Sequence, residues 1–512
     1  MYANPSPPPR ATRREWIGLL VIALPCLLYS MDLTVLNLAV PHISADLEPS
    51  STELLWILDI YGFFVAGSLI TMGALGDRIG RRRLLLIGAA IFGITSVLAA
   101  FSNSAEMLIV SRALLGIAGA TLAPSTLSLI RNMFLDPVQR TFAIGVWGTS
   151  YAVGAVVGPL LGGILLQHYW WGSVFLIAVP VMLLLLLVGP MLLPEYRDPE
   201  AGRLDILSAA LSLVAVLLVI YGLKRMAEDG AGWLPLGSIL LGIVVGNLFV
   251  RRQRKLADPL IDIRLFRSPA FTTSLAAYTL ATFVGFGIYV FIAQYLQLVL
   301  GLSPLMAGLY TVPSMSAYIV GSLVVPVLAR RVRPGYAMSG GLTLAAAGFL
   351  VLAQMDQDPS LPTLVIGTVV YSLGLCPIFI LATDLIVSSA PVERAGAAAA
   401  ISETSSELGG ALGIAILGSI GTAVYRGAMA AAASFGLPTG IADAARRTLG
   451  GAVTEAGRLP DVVGTQLLSA ARESFVQAFR LSALICVMIA LATAVLVAVL
   501  LRPVQPRASH PR

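Results

Sequence analysis

Charge is scarce in this chain. Of its 512 residues only 12% are Asp, Glu, Lys or Arg, while 57% are hydrophobic; a soluble domain carries about 25% charge. That scarcity excludes the set of about three soluble domains that length alone would suggest. Cysteine is almost missing too. Cys26, Cys376 and Cys486 all fall inside apolar runs without paired spacing, which argues against a disulfide or thiolate-metal framework. The three histidines, His42, His168 and His510, are scattered and cluster with no Cys, Asp or Glu. Without a metal-ligand set or a Ser–His or Cys–His constellation, a membrane-embedded enzyme is disfavoured. No Gly-rich loop ending in Gly-Lys is present, so ATP is not the expected energy source. A sensor would want a soluble signalling domain, and the sequence offers none.

What is present is a series of apolar runs of bilayer length. Approximate spans fall at 16–40, 54–75, 84–101, 105–130, 142–166, 172–193, 205–223, 233–250, 271–299, 305–328, 337–354, 361–387, 395–421 and 479–501. That makes about fourteen helices in an all-α, multi-pass membrane protein. The Pro-rich, basic start, "MYANPSPPPRATRREW", enters a run too long for a signal-peptide core and reads as a tail, residues 1–15.

The net charge of +6 is distributed by side rather than clustered. With the N-terminus inside, Arg10, Arg13, Arg14, Arg78, Arg81 to Arg83, Arg131, Arg140, Arg197, Arg203, the 251–267 cluster, Arg330, Arg331, Arg333 and Arg394 all lie inside. The loops 41–53, 102–104, 300–304 and 355–360 carry no Lys or Arg. Both termini are therefore expected in the cytoplasm, and no nucleic-acid partner is implied. Lys224–Arg225 and the long loop near 425–475 depart from the pattern. That loop, with "GIADAARRTLGGAVTEAG" and "DVVGTQLLSAARESFVQAFR", reads as short amphipathic helices in a connector, with a lid as the other option.

Acids inside the spans need a reason, because each costs roughly 2.5–3.5 kcal/mol at a bilayer centre on insertion scales. Asp32 sits about eight residues before the outer end of span 1, roughly 12 Å at 1.5 Å per residue. Asp59 in "WILDIY" and Arg112 in "VSRALLG" share its depth, which points to a shared polar cavity. Glu403 and Glu407 in "ISETSSELGG" lie four residues apart, on one helical face. Asp384, near the inner end of span 12, lies within reach of the interface. Asp32 and Arg112 are expected to pair, while Asp59, Glu403 and Glu407 show no comparable basic partner inside the membrane. Unpaired buried carboxylates bind protons or organic cations. Trp56, Tyr61, Tyr151, Phe286 and Tyr289 are candidate aromatic lining, with core packing as the plainer role.

Three motifs complete the reading. "GALGDRIGRRR" (73–83) places Gly73, Gly76 and Gly80 for a tight turn, with Asp77, Arg78 and Arg81 able to bridge helix ends. Span 4 carries "VSRALLGIAGA", and span 5 "GAVVGPLLGG", where Gly154, Gly158, Gly162 and Gly163 form a small-residue stripe and Pro159 a bend. In this order on spans 2, 4 and 5 they resemble the loop, span-4 and antiporter motifs of the major facilitator superfamily. With fourteen spans, "MDLTVLNLAVP" and "GLSPLMAGLYTVP", the chain is similar to the fourteen-spanner drug:proton antiporters of the QacA type.

The resemblance implies an N-terminal six-helix bundle (16–193), an inserted pair (205–250) and a C-terminal six-helix bundle (271–501, with the outer loop), followed by a tail at 502–512. It implies alternating access and export of lipophilic and quaternary ammonium cations in exchange for protons, without cofactor or metal, by a monomer in the bacterial cytoplasmic membrane. Asp32, Asp59, Glu403 and Glu407 match its membrane acids and Arg112 its span-4 arginine. Residues 73–81 match its conformational latch. The second-half counterpart, "VLARRVRPG", lacks an acid, so no equivalent latch is expected there. A dedicated exporter of one antibiotic, a lipid or a peptide is the alternative.

Overall fold

The computed structural model describes residues 9–49, 51–197, 205–229, 232–256, 259–355, 361–431 and 439–504, without strands among them. The outer parts of both tails, 1–8 and 505–512, and part of the long loop, 432–438, lie outside the described residues. Fourteen helices are long and apolar enough to cross a membrane. They are α1 (Arg13–Leu47), α2 (Ser51–Ile79), α3 (Arg81–Ala100), α4 (Ala105–Met133), α5 (Pro137–His168), α6 (Ser173–Leu192) and α7 (Ile206–Asp229). There follow α8 (Trp233–Gln253), α9 (Pro269–Val299), α10 (Pro304–Arg331), α11 (Pro334–Leu352), α12 (Leu361–Ser389), α13 (Ala395–Ala431) and α14 (Asp461–Leu500).

Local chemistry sets where several of them begin. Thr12 and Glu15 form a capping box at the start of α1. The Asp136 carboxylate accepts from the backbone N–H groups of Val138 and Gln139 ahead of Pro137, at the start of α5. Glu195, on the segment after α6, accepts from the N–H groups of Arg82 and Arg83 and so caps α3. Gly80, between α2 and α3, has φ of 111°, which a side chain would resist.

Helices α1 to α6 pack among themselves, as do α9 to α14. The seam between the two halves is formed by α2 and α4 against α13, and by α5 against α10 and α12. An even number of spans puts both termini on one face, called here the tail face. The inserted helix α7 packs on α8, α2 and α13, so it touches both halves and is more than an appended pair.

The long loop differs from expectation. "DVVGTQLLSAARESFVQAFR" is no separate helix but the first half of the 40-residue α14. Before it, short helices Thr439–Arg447 and Leu449–Ala456 dock on the second half, where Leu449 and Ala452 are buried and Tyr425 donates to the Ala445 carbonyl. At the mouth of α7, Arg252 and Ser208 donate to Asp205, holding its carboxyl down at about 2.

Candidate functional site

Helix α1 carries two polar side chains one turn apart, Tyr29 and Asp32. Asp32 Oδ2 accepts from Arg112 of α4 at 3.3 Å, and the guanidinium, 1% exposed, lies 5.2 Å from the centre of the Tyr61 ring. This is the pair the sequence suggests. Asp32 also faces a small pocket between α1, α3 and α6, walled by Met31, Val35, Phe92, Ser96 and Phe175. The pocket lies inside the first half, away from the seam.

Asp59 departs from expectation in having a basic partner. Lys224, from α7, ion-pairs with Asp59 and sits 4.8 Å from the Phe63 ring centre. Equal depth placed Asp32 and Asp59 in one layer, but their positions around the helix axes send them to different neighbours. The signal for Lys224 was its breach of the positive-inside pattern.

The glutamates of α13 stand at the seam. Glu407 Oε1 accepts from the Tyr29 hydroxyl at 3.2 Å, a link between the halves. Buried Glu403 Oε1 has no hydrogen-bond partner among the described residues. It interacts electrostatically with Glu407, and with Tyr151 and Tyr278 from either half. Tyr29 packs against Tyr61 and Tyr151, with ring centres 6.0 and 5.6 Å apart. A run of aromatic contacts therefore connects the Arg112–Asp32 pair to Glu407.

The candidate aromatics sort by this geometry. Tyr61 and Tyr151 belong to the tyrosine cluster. Trp56 packs edge-on to Phe63 beside Leu217 and Leu408, in a cluster shared by both halves and α7. Phe286 and Tyr289 are exposed, Phe286 lying against Gly410 of α13.

At the tail face the halves are tied by polar contacts. Asp77 is paired with Arg81 and accepts from the Ala397 N–H at 3.2 Å, in the first turn of α13. Arg81 donates to the Gly73 carbonyl at 3.0 Å, and Arg78 to that of Ala74. Gly73 meets Gly396 and Ala400 so closely that a Cβ would clash. Asp384, 1% exposed, lies inside the seam at this face, accepting from Arg140 at 3.0 Å and Thr141 at 2.6 Å. Arg131 donates to the Ala390 carbonyl and Tyr196 to Glu393. In the second-half counterpart loop, Arg333 donates to the Arg502 carbonyl, within its own half.

On α5, Gly154 and Gly162 face α1, at the Leu27 carbonyl and the Val35 side chain. Gly158 is buried between them in sequence. Gly163 is the exception to the stripe, with open space where a Cβ would stand. The side chain of Pro159 lies outside the described residues.

This arrangement of two helical halves, a seam carrying acids and a polar clasp at one face is that of a carrier. The profile of the Major Facilitator Superfamily matches residues 22–414. The chain belongs to the major facilitator superfamily. The carrier is 45% identical to the multidrug efflux pump LfrA of Mycolicibacterium smegmatis, over 96% of this chain and 97% of that one. It is 37% identical to the methyl viologen resistance protein SmvA of Salmonella typhimurium, covering 90% and 93%. It is also 34% identical to the tetracenomycin C resistance and export protein of Streptomyces glaucescens, covering 79% and 76%.

Among solved structures, its fold is similar to that of the human organic anion transporter MFSD10, with a TM-score of 0.57 at 17% identity, covering 93% and 99%. It is also similar to a bacterial homologue of the human lysosomal transporter Spinster, inward-facing and unoccupied, at 0.56 and 20%, covering 98% and 100%. The carrier is a multi-pass membrane transporter related to drug-efflux pumps, not an enzyme.

Proposed function

We propose that the chain exports lipophilic and quaternary ammonium cations from a bacterial cell in exchange for protons. The observation that carries this reading is the Glu403–Glu407 pair at the seam, with Glu403 Oε1 buried and without a hydrogen-bond partner among the described residues. A carboxylate taken out of water needs a counter-charge or a proton. At a seam that opens alternately to the two faces, it can take a cargo cation on one side and a proton on the other. Tyr29 and Tyr61 supply aromatic faces for cation–π contact beside it. The Asp32–Arg112 pair, joined to Glu407 through those rings, lets protonation of the first half influence the seam.

The arginine distribution supports reading the tail face as cytoplasmic. The clasp there then belongs to the state closed toward the cytoplasm, from which cargo leaves outward. The proton gradient would supply the energy, without ATP, cofactor or metal, to a monomer surrounded by lipid. The identity to a multidrug pump over nearly the whole chain favours a broad cation range over a single antibiotic, lipid or peptide.

The test is uptake of a fluorescent cation into inverted vesicles, or its movement across liposomes, under an imposed pH gradient. Wild-type transport is expected to follow the gradient. Asp32→Asn and Glu403→Gln should abolish it while leaving the protein expressed and folded. Transport without pH dependence, or an active Asp32→Asn protein, would sink the proton-exchange assignment.

A further inference from the structure

Among the described residues, Lys224 is a basic side chain from outside the two six-helix halves that pairs with a candidate cargo-site acid. It belongs to α7 of the inserted pair, beside Arg225 at the end of the apolar span Ile206–Met226. Its ammonium ion-pairs with Asp59 of α2, lies 4.8 Å from the Phe63 ring centre, and interacts electrostatically with Glu407 of α13. The two partners of the pair are 38% and 26% exposed. A pair so open to its surroundings adds little to stability. Stability therefore does not account for Lys224.

We propose that Lys224 is a tethered cation that sets the charge of cargo the carrier accepts. This assignment rests on the cation-export reading. An organic cation seeks carboxylates with an aromatic face beside them, and the Lys224 ammonium already has that environment in Asp59, Glu407 and Phe63. The ammonium offsets one of the negative charges that Asp59, Glu403 and Glu407 offer to a cargo cation. A dication brings two positive charges and competes with the ammonium for Asp59, so Lys224 disfavours it more than a monovalent lipophilic cation. The inserted pair thus acts as a selectivity element, built onto a seam whose other parts come from the two halves.

Removing the ammonium takes away one positive charge and should turn the preference toward dications. Tetraphenylphosphonium and methyl viologen, a monocation and a dication, are titrated by calorimetry into the full-length carrier in lipid nanodiscs. The readout is the ratio of their affinities. Lys224→Met and Lys224→Gln, each checked as monodisperse and helical, should shift the ratio at least tenfold toward methyl viologen. Adding Asp59→Asn to Lys224→Gln should reverse most of that shift. Two folded Lys224 variants whose ratio stays within twofold of wild type overturn the assignment while leaving cation binding intact. A wild-type carrier that binds neither cation removes the cation reading itself, and this assignment with it.

Discussion

At the scale of single residues, the Asp32–Arg112 pair shows how burial changes the worth of a charge. Arg112 is 1% exposed, its Nε has no hydrogen-bond partner among the described residues, and Asp32 lies 3.3 Å from its Nη1. Removing one member of a buried pair leaves the other uncompensated, at a cost of about 3–5 kcal/mol. Arg112→Gln should therefore lower the melting temperature in detergent by several degrees, read by intrinsic fluorescence. Arg331→Gln, on an exposed side chain, should leave it within a degree or so, since surface charges contribute about 0–1 kcal/mol. Equal shifts for the two variants would contradict the buried pair. This pairing was legible in the sequence, because opposite charges at one depth in a span need each other. The Asp59–Lys224 pair was not. Loop-charge counting treats Lys224 as a stray basic residue, and only the packing of α7 against α2 turns it toward Asp59.

At the scale of elements, the contact of α5 with α1 rests on spacing. Gly154, Gly158 and Gly162 recur every four residues and so share one face, while Gly163 lies about 100° further round. A Cβ at Gly154 would collide with the Leu27 carbonyl, and one at Gly163 would meet open space. Gly154→Val is thus expected to drive the two helices apart. Overpacking of this kind costs about 1–3 kcal/mol, and transport should fall with it. Gly163→Ala should keep wild-type stability and transport, because it replaces a poor helix former without a steric cost. A tolerant Gly154→Val, measured by the same melting and vesicle assays, would show that α1 and α5 do not need close approach. The sequence made the stripe visible but added Gly163 to it, since a motif counts small residues and a helix face selects among them. The same limit hid the start of α14. Its first half alternates polar and apolar residues while the rest is uniformly apolar, so a change in environment along one helix looked like a break between two.

At the scale of the whole molecule, the polar contacts described between the halves at the tail face act on one equilibrium. Asp77 with the first turn of α13, Asp384 with Arg140 and Thr141, and Tyr196 with Glu393 each join one half to the other across that face. Hydrogen bonds to charged groups contribute about 1.5–3 kcal/mol each, and moving a two-state equilibrium from 1:99 to 99:1 takes about 5.5 kcal/mol. Losing two of these contacts should then redistribute the population substantially without unfolding either half, because each half keeps its own core. The combined Asp77→Asn and Asp384→Asn protein is expected to populate the state open at the tail face. Spin labels at Arg83→Cys and Arg331→Cys, exposed positions on α3 and α10, read the separation by pulsed electron resonance. The native cysteines are all buried and should not compete for label. Wild type should give mainly a short separation, and the double amide a longer population that shrinks again when cation cargo is supplied. An unchanged distance distribution would mean that these bonds follow closure rather than hold it, leaving the helix contacts of Gly73 with Gly396 as the element that sets the resting state.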